Sequence, residues 1–159
     1  MADLFDDLLA RRDAERVRAG RARNVIRSKD LRWEENRFGR MMWDLHPAIT
    51  DTALRNYVFY MMELPPGGQS GRVKQQGDEV ILIVEGRGWT TVDGVKHSWK
   101  VGDCVGLPLK PSGNVIQHFN ADAARVARFV SARPDFSSIF GVDNGCGFEI
   151  LEDAPRGRR

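Results

Sequence analysis

Reactive side chains are scarce in this chain of 159 residues. It has two cysteines, Cys104 and Cys146, with no CxxC spacing, which excludes both a disulfide framework and the common zinc ribbons. It has three histidines, His46, His97 and His118, too few and too scattered for a histidine-rich metal site. Long apolar runs are also missing. Tyr57–Met62 and Val80–Val84 are the longest, and neither approaches the ~20 residues that span a bilayer. The first residues, Met1-Ala2-Asp3-Leu4-Phe5-Asp6-Asp7, are acidic rather than basic and lead into no apolar stretch, so no secretory signal is visible. These absences together predict a reduced, cytoplasmic protein with no membrane partner.

Neither sign of charge dominates: 24 Lys and Arg stand against 22 Asp and Glu. The basic residues Arg11, Arg12, Arg16, Arg18, Arg21, Arg23, Arg27 and Lys29 do crowd the start of the chain. Asp13 and Glu15 interrupt them, and no aromatic residues are interleaved for base stacking. We read them as a solvated helix face and expect no nucleic-acid partner. Leu4, Phe5, Leu8 and Leu9 put an apolar stripe on a helix over residues 3–20, with Asp3, Asp6 and Asp7 at its N-terminal end and Gly20 at its C-terminal end. Such a stripe packs on its own domain or on a second subunit, and a homodimer is expected.

Glycine (16) and proline (7) are plentiful, and from residue 31 they punctuate short runs rich in β-branched and aromatic residues. Strands are predicted near 31–34, 39–44, 54–64, 70–75, 79–84, 87–92, 95–100, 104–107, 114–120 and 124–132. Asp93-Gly94 marks a tight hairpin, and Gly86-Arg87-Gly88 a second reversal. With no second helical pattern before residue 134, the chain reads as all-β: an N-terminal helical extension (1–30), a barrel or sandwich (31–133) and an irregular C-terminal segment (134–159).

The stretch 67–120 resembles the two signature motifs of the cupin superfamily. Gly67, Glu79 and Gly86 keep the register of the first motif, and Gly102, Pro108, Gly113 and Asn120 that of the second. The segments Val84-Glu85-Gly86-Arg87-Gly88 and Trp99-Lys100-Val101-Gly102-Asp103 also resemble the region between them. The resemblance implies a small cupin-type β-barrel, a double-stranded β-helix or jelly roll. In cupins that bind metal, two His, the Glu and a later His are the ligands. Carried over, those positions hold Val73, Gln75, Glu79 and Ile116. Val73 and Ile116 have no donor atom, and the Gln75 amide is a poor partner for a transition metal. We therefore expect no metal and no cofactor at this site.

His118 and Glu79 remain as chemistry-bearing candidates. If position 116 faces the interior, so do 118 and 120. Glu79 and His118 would then act as a general acid/base pair, with the carboxylate raising the imidazole pKa, as in an isomerase or lyase. Gln75, Val73, Ile116, Asn120, Phe59 and Trp89 are the candidate lining of a pocket for a small organic molecule, aromatic or carboxylate-bearing. Arg55, Arg72 and Lys74 flank that region and are read as surface charges, any of which could anchor a carboxylate. Cys104 and Cys146 are expected to be buried and inert. Two alternatives stay open. One is a gentisate-type dioxygenase, suggested by the resemblance of Gln117-His118-Phe119-Asn120, with a displaced metal on Glu79, His118 and water that would need a third strong ligand, His46 and His97 being the only other histidines. The other is a ligand sensor without catalysis.

Overall fold

The computed structural model describes residues 3–135 and 149–155. Helix α1 (Leu4–Arg21) opens on Asp3, whose carboxylate accepts the Asp6 backbone N–H at 2.8 Å. It runs one residue past Gly20 and ends with Arg18 and Arg21 in its last turn. None of its residues is buried. Arg18 ties it to the body of the protein by donating to the carbonyls of Thr50 (3.2 Å) and Thr52 (2.9 Å). Among the described residues no helix is long and apolar enough to cross a membrane.

Among the described residues eleven strands follow: β1 (Trp33–Glu35), β2 (Arg40–Leu45), β3 (Tyr57–Leu64), β4 (Arg72–Gln75), β5 (Glu79–Glu85), β6 (Arg87–Val92), β7 (Val95–Lys100), β8 (Cys104–Leu107), β9 (Asn114–Asn120), β10 (Ala127–Pro134) and β11 (Glu149–Glu152). They form two antiparallel sheets, ordered β1-β2-β3-β10-β5-β8 and β11-β4-β9-β6-β7. Chain neighbours are not always sheet neighbours. β10 lies between β3 and β5, and β9 between β4 and β6, so residues far apart in sequence share one interior.

Period-two alternation selects what enters that interior. From β5 it takes Glu79, Ile81 and Ile83, leaving Val80, Leu82 and Val84 outside. From β10 it takes Ala127, Phe129, Ser131 and Arg133, and from β9 Asn114, Ile116, His118 and Asn120. The apolar core is built on Tyr60, Met62, Leu64, Val73, Ile81, Ile83, Trp99, Ile116 and Phe129.

Two expectations need correction. The C-terminal segment is not wholly irregular: β11 pairs with β4, setting Ile150 opposite Val73, and Ile150 packs on the core. Arg72–Glu152 (3.4 Å) and Lys74–Glu149 (3.9 Å) ion pairs flank the pairing. A four-residue strand with one inward apolar residue carries too little periodicity to stand out in sequence. Cys104 is exposed rather than buried, because it lies on the outer face of the edge strand β8. Cys146 lies outside the described residues.

Candidate functional site

The turn between β4 and β5 positions the first half of the site. Gly77 (φ +99°) and Asp78 (φ 57°) are left-handed, and a Cβ on Gly77 would lie 2.2 Å from the Pro108 carbonyl oxygen. The Asn114 amide clamps this turn, donating to the Gln76 carbonyl (3.0 Å) and to Pro108 (2.9 Å). Gln75 and Glu79, the last inward residue of β4 and the first of β5, are thereby brought into contact, both fully buried. The Gln75 amide nitrogen donates to one Glu79 oxygen. The Ser131 hydroxyl and the Tyr60 hydroxyl (3.1 Å) donate to the other. Three donors satisfy the hydrogen-bonding needs of this buried carboxyl group. Burial, and then the Glu79 charge, hold the Tyr60 phenol well above its ordinary pKa, so Tyr60 stays a donor.

His118 has a different set of partners. It pairs across β9 and β6 with Thr90, whose Oγ1 lies 2.8 Å from Nδ1. Trp99 Nε1 donates to the same Thr90 oxygen at 3.0 Å. The His118 backbone N–H donates to Ser70 Oγ (2.9 Å), and the ring is flanked by Phe129 at 4.7 Å and Phe38 at 5.9 Å. Burial pushes its pKa down to about 3, so the imidazole is neutral at physiological pH. Its Nε2 is buried with no hydrogen-bond partner in the structure, as is Gln75 Oε1.

The expected Glu79–His118 pair is therefore not formed. The hydrogen bonds of Glu79 go to Tyr60, Gln75 and Ser131, and the ring of His118 bonds to Thr90. Burial also moves the imidazole pKa down, opposite to the shift expected from a carboxylate partner. The register explains the separation. Gln75 stands opposite Asn114, four residues along β9 from His118, or about 13 Å of strand. Val73 and Ile116 face each other between these two poles, both fully buried.

Three other expected lining residues serve elsewhere. The Asn120 amide group donates to the carbonyls of Leu64 (3.2 Å), Pro65 (2.9 Å) and Arg125 (2.8 Å), and its oxygen accepts from Asp122 N–H (2.9 Å). It fastens two loops. Phe59 alternates with inward Tyr60 and turns outward. Trp89 alternates with inward Thr90 and stacks on Phe119 (4.9 Å) on the outer face, with Lys96 4.0 Å above its ring. It borders an open groove of about 480 Å³ shared with Arg87, Lys96, Ser98, Lys100 and Asp103, not the barrel interior. His97 is exposed, and Arg55, Arg72 and Lys74 are in ion pairs at the surface.

The residues do not fit the metal that the cupin resemblance suggests. Two of the four positions are apposed hydrocarbon side chains, and the one carboxylate is surrounded by hydrogen-bond donors whose protons occupy the directions a cation would need. Among the described residues no three of His, Cys, Asp and Glu come together as a ligand set.

Sequence reasoning missed Tyr60, Ser131, Thr90 and Trp99. Alternation within β3 and β10 could have turned Tyr60 and Ser131 inward. Nothing in the sequence announces that β6 lies beside β9 and so delivers Thr90 to His118.

Two packed antiparallel sheets with crossed strand order define a double-stranded β-helix. Residues 60–131 match the family model for the cupin domain, and the chain is a cupin-fold protein. No curated protein matches it significantly. Solved structures share the fold at low identity. The polyketide cyclase RemF from Streptomyces resistomycificus is 15% identical with a TM-score of 0.58, over 71% of this chain and 80% of that one. A conserved protein with a double-stranded β-helix domain from Klebsiella pneumoniae is 18% identical with a TM-score of 0.57, over 82% of this chain and 100% of that one. The salicylate 1,2-dioxygenase of Pseudoaminobacter salicylatoxidans, solved with gentisate, is 13% identical with a TM-score of 0.55, over 70% of this chain and 28% of that one.

Proposed function

We propose that this protein binds a small organic molecule inside its barrel and does so without a metal at Val73, Gln75, Glu79 and Ile116. The observation that carries the reading is the pair of fully buried, unpartnered polar atoms, His118 Nε2 and Gln75 Oε1, at either end of the apolar Val73–Ile116 band. A buried polar atom without a partner costs about 1–3 kcal/mol. A ligand with an apolar middle and polar ends offsets that cost at both poles. The Phe129 and Phe38 rings beside His118 suit a flat, aromatic end.

The arrangement supports binding better than acid/base turnover. A neutral histidine with a pKa near 3 is a poor proton carrier at pH 7, and the Glu79 carboxylate is committed to three donors. The cyclase and dioxygenase neighbours show that this fold hosts chemistry, but at 15% and 13% identity they bring the fold alone to this chain.

The test is a denaturing organic extract of freshly purified protein, analysed by mass spectrometry beside elemental analysis. The expected result is one recurring small organic compound, lost in His118→Phe, and no transition metal that survives a chelator wash. About one tightly held iron, manganese, nickel or zinc per chain, with no organic compound, would overturn the reading.

A further inference from the structure

We infer that Trp99 and Thr90 lock His118 in the tautomer that carries its proton on Nε2, so that the barrel recognises a ligand oxygen acceptor, such as a carbonyl, at this pole. The inference rests on the ligand-binding reading above for its second half only. Its first half concerns the protein alone.

The indole Nε1–H of Trp99 has no acceptor capacity, so at 3.0 Å it donates and Thr90 Oγ1 accepts. The Thr90 hydroxyl has one proton of its own. The one acceptor within its hydrogen-bond reach among the described residues is His118 Nδ1, at 2.8 Å. If Thr90 donates to Nδ1, the neutral ring carries its proton on Nε2, and one buried group is left unpaired. If the ring instead donated from Nδ1, the Thr90 proton and the bare Nε2 would both be unpaired. The second arrangement strands one more buried polar group, at about 1–3 kcal/mol. That difference amounts to a preference of about fivefold to more than a hundredfold for the first.

The ring cannot rotate freely out of this state. Phe129 and Phe38 flank it, and its own backbone N–H is held by Ser70 Oγ at 2.9 Å. The groups that face it are Thr90 from β6, Phe129 from β10, and Phe38 and Ser70 from connecting segments, none of them charged. An N–H held in such surroundings is a fixed dipole aimed into the interior. It favours a carbonyl, enolate or phenolate oxygen and repels a cation. Thr90 and Trp99 act through His118 and are positioning residues.

The experiment is long-range proton–nitrogen correlation NMR on ¹⁵N-histidine-labelled protein. Wild-type His118 is expected to show one neutral tautomer, protonated at Nε2, throughout pH 5–8. Thr90→Ser, which keeps the hydroxyl, is expected to retain it. Thr90→Val, of similar shape, is expected to lose it. A wild-type Nδ1–H form, a mixture of forms, or an unchanged spectrum in Thr90→Val would overturn the lock. For the second half, acetophenone and the isosteric hydrocarbon α-methylstyrene are added at matched concentrations. The ketone is expected to shift the Nε2 resonance and the hydrocarbon is not. Equal responses, or none to either, would overturn acceptor recognition. The organic extract tests the ligand-binding reading separately, so the two failures are distinguishable.

Discussion

Glu79 and His118 are both fully buried, and the difference between them lies in what surrounds each one. Glu79 has three donors, so its removal should be felt through those donors. Glu79→Leu leaves Tyr60, Ser131 and Gln75 unpaired and is expected to cost about 3–5 kcal/mol in urea unfolding. Tyr60→Phe removes one donor and is expected to cost about 1 kcal/mol. Equal costs would mean that the carboxylate is not the centre of the network. His118, by contrast, is neutral because burial opposes its charge. The folded ring titrates at about 3 against an ordinary 6.5. Between those values the unfolded chain binds a proton that the folded chain does not, so stability is full above about pH 6.5 and falls as pH falls toward 3. The slope from this one group is at most about 1.4 kcal/mol per pH unit. His118→Gln is expected to flatten it, measured as unfolding free energy at pH 7, 6, 5 and 4. Burial raises the Asp44 pKa, which tilts the curve the other way, but it does so in both proteins and cancels in the comparison. A wild-type curve no steeper than that of His118→Gln would show that the ring charges freely in the folded state.

The hairpin β6–β7 is the element that delivers Thr90 and Trp99 to the site, and its geometry depends on two kinds of glycine. Asp93 (φ 50°) and Gly94 (φ 83°) make the left-handed turn that an Asp-Gly pair announces in sequence. The Asp93 carboxylate then accepts from Lys110 Nζ (2.6 Å) and from the Val115 N–H (2.8 Å), which pins the hairpin tip to β9. Gly88 is needed for a reason that only the fold reveals. A Cβ there would lie 1.9 Å from the Phe119 carbonyl oxygen and 2.5 Å from the Trp99 ring. Gly88→Ala is expected to cost about 4 kcal/mol or more and to weaken the near-ultraviolet circular dichroism of Trp99. Gly106→Ala, on the open face of β8, is the control. An added Cβ there meets nothing within 4 Å, and the change is expected to fall within about 1 kcal/mol of wild type. The contrast marks what a sequence can state. Turn glycines and alternating strands are local, so β2 to β10 are legible to within a few residues of their ends. Trp99 reaches Gly88 within the hairpin itself, but the close approach of the Phe119 carbonyl on β9 is set by pairing across about thirty residues of chain, and no local pattern encodes it. The candidate site divides in the same way. Inward Gln75, Glu79 and His118 follow from period two, whereas their true partners follow from strand order.

At the scale of the whole molecule, the chain leaves two apolar surfaces without partners among its described residues. On α1, Leu4, Phe5, Leu8 and Val17 are exposed and no residue is buried. An isolated helix of 18 residues is marginal in water, and most of a protein helix's stability comes from packing its apolar face. On the outer face of the six-stranded sheet, Val80, Leu82 and Val84 are exposed beside Cys104 and Gly106 of the edge strand β8. We propose that a second copy of the chain covers them. A twofold axis that sets each helix stripe on the partner's sheet face uses both surfaces twice, and it needs no second kind of protein. The charge on α1 is partly offset within the helix, because four of its five arginines, Arg11, Arg12, Arg16 and Arg18, pair with Asp7, Asp13 and Glu15. Sedimentation at micromolar concentration is expected to give about 36 kDa, twice the 17.9 kDa of one chain. Two variants, Leu8→Glu on the helix and Leu82→Glu on the sheet, are each expected to shift the equilibrium toward monomer by tenfold or more. A wild-type species at 17.9 kDa would refute the dimer. Monomer from Leu82→Glu with an unaffected Leu8→Glu would show that the sheet faces meet directly and that the helix packs elsewhere.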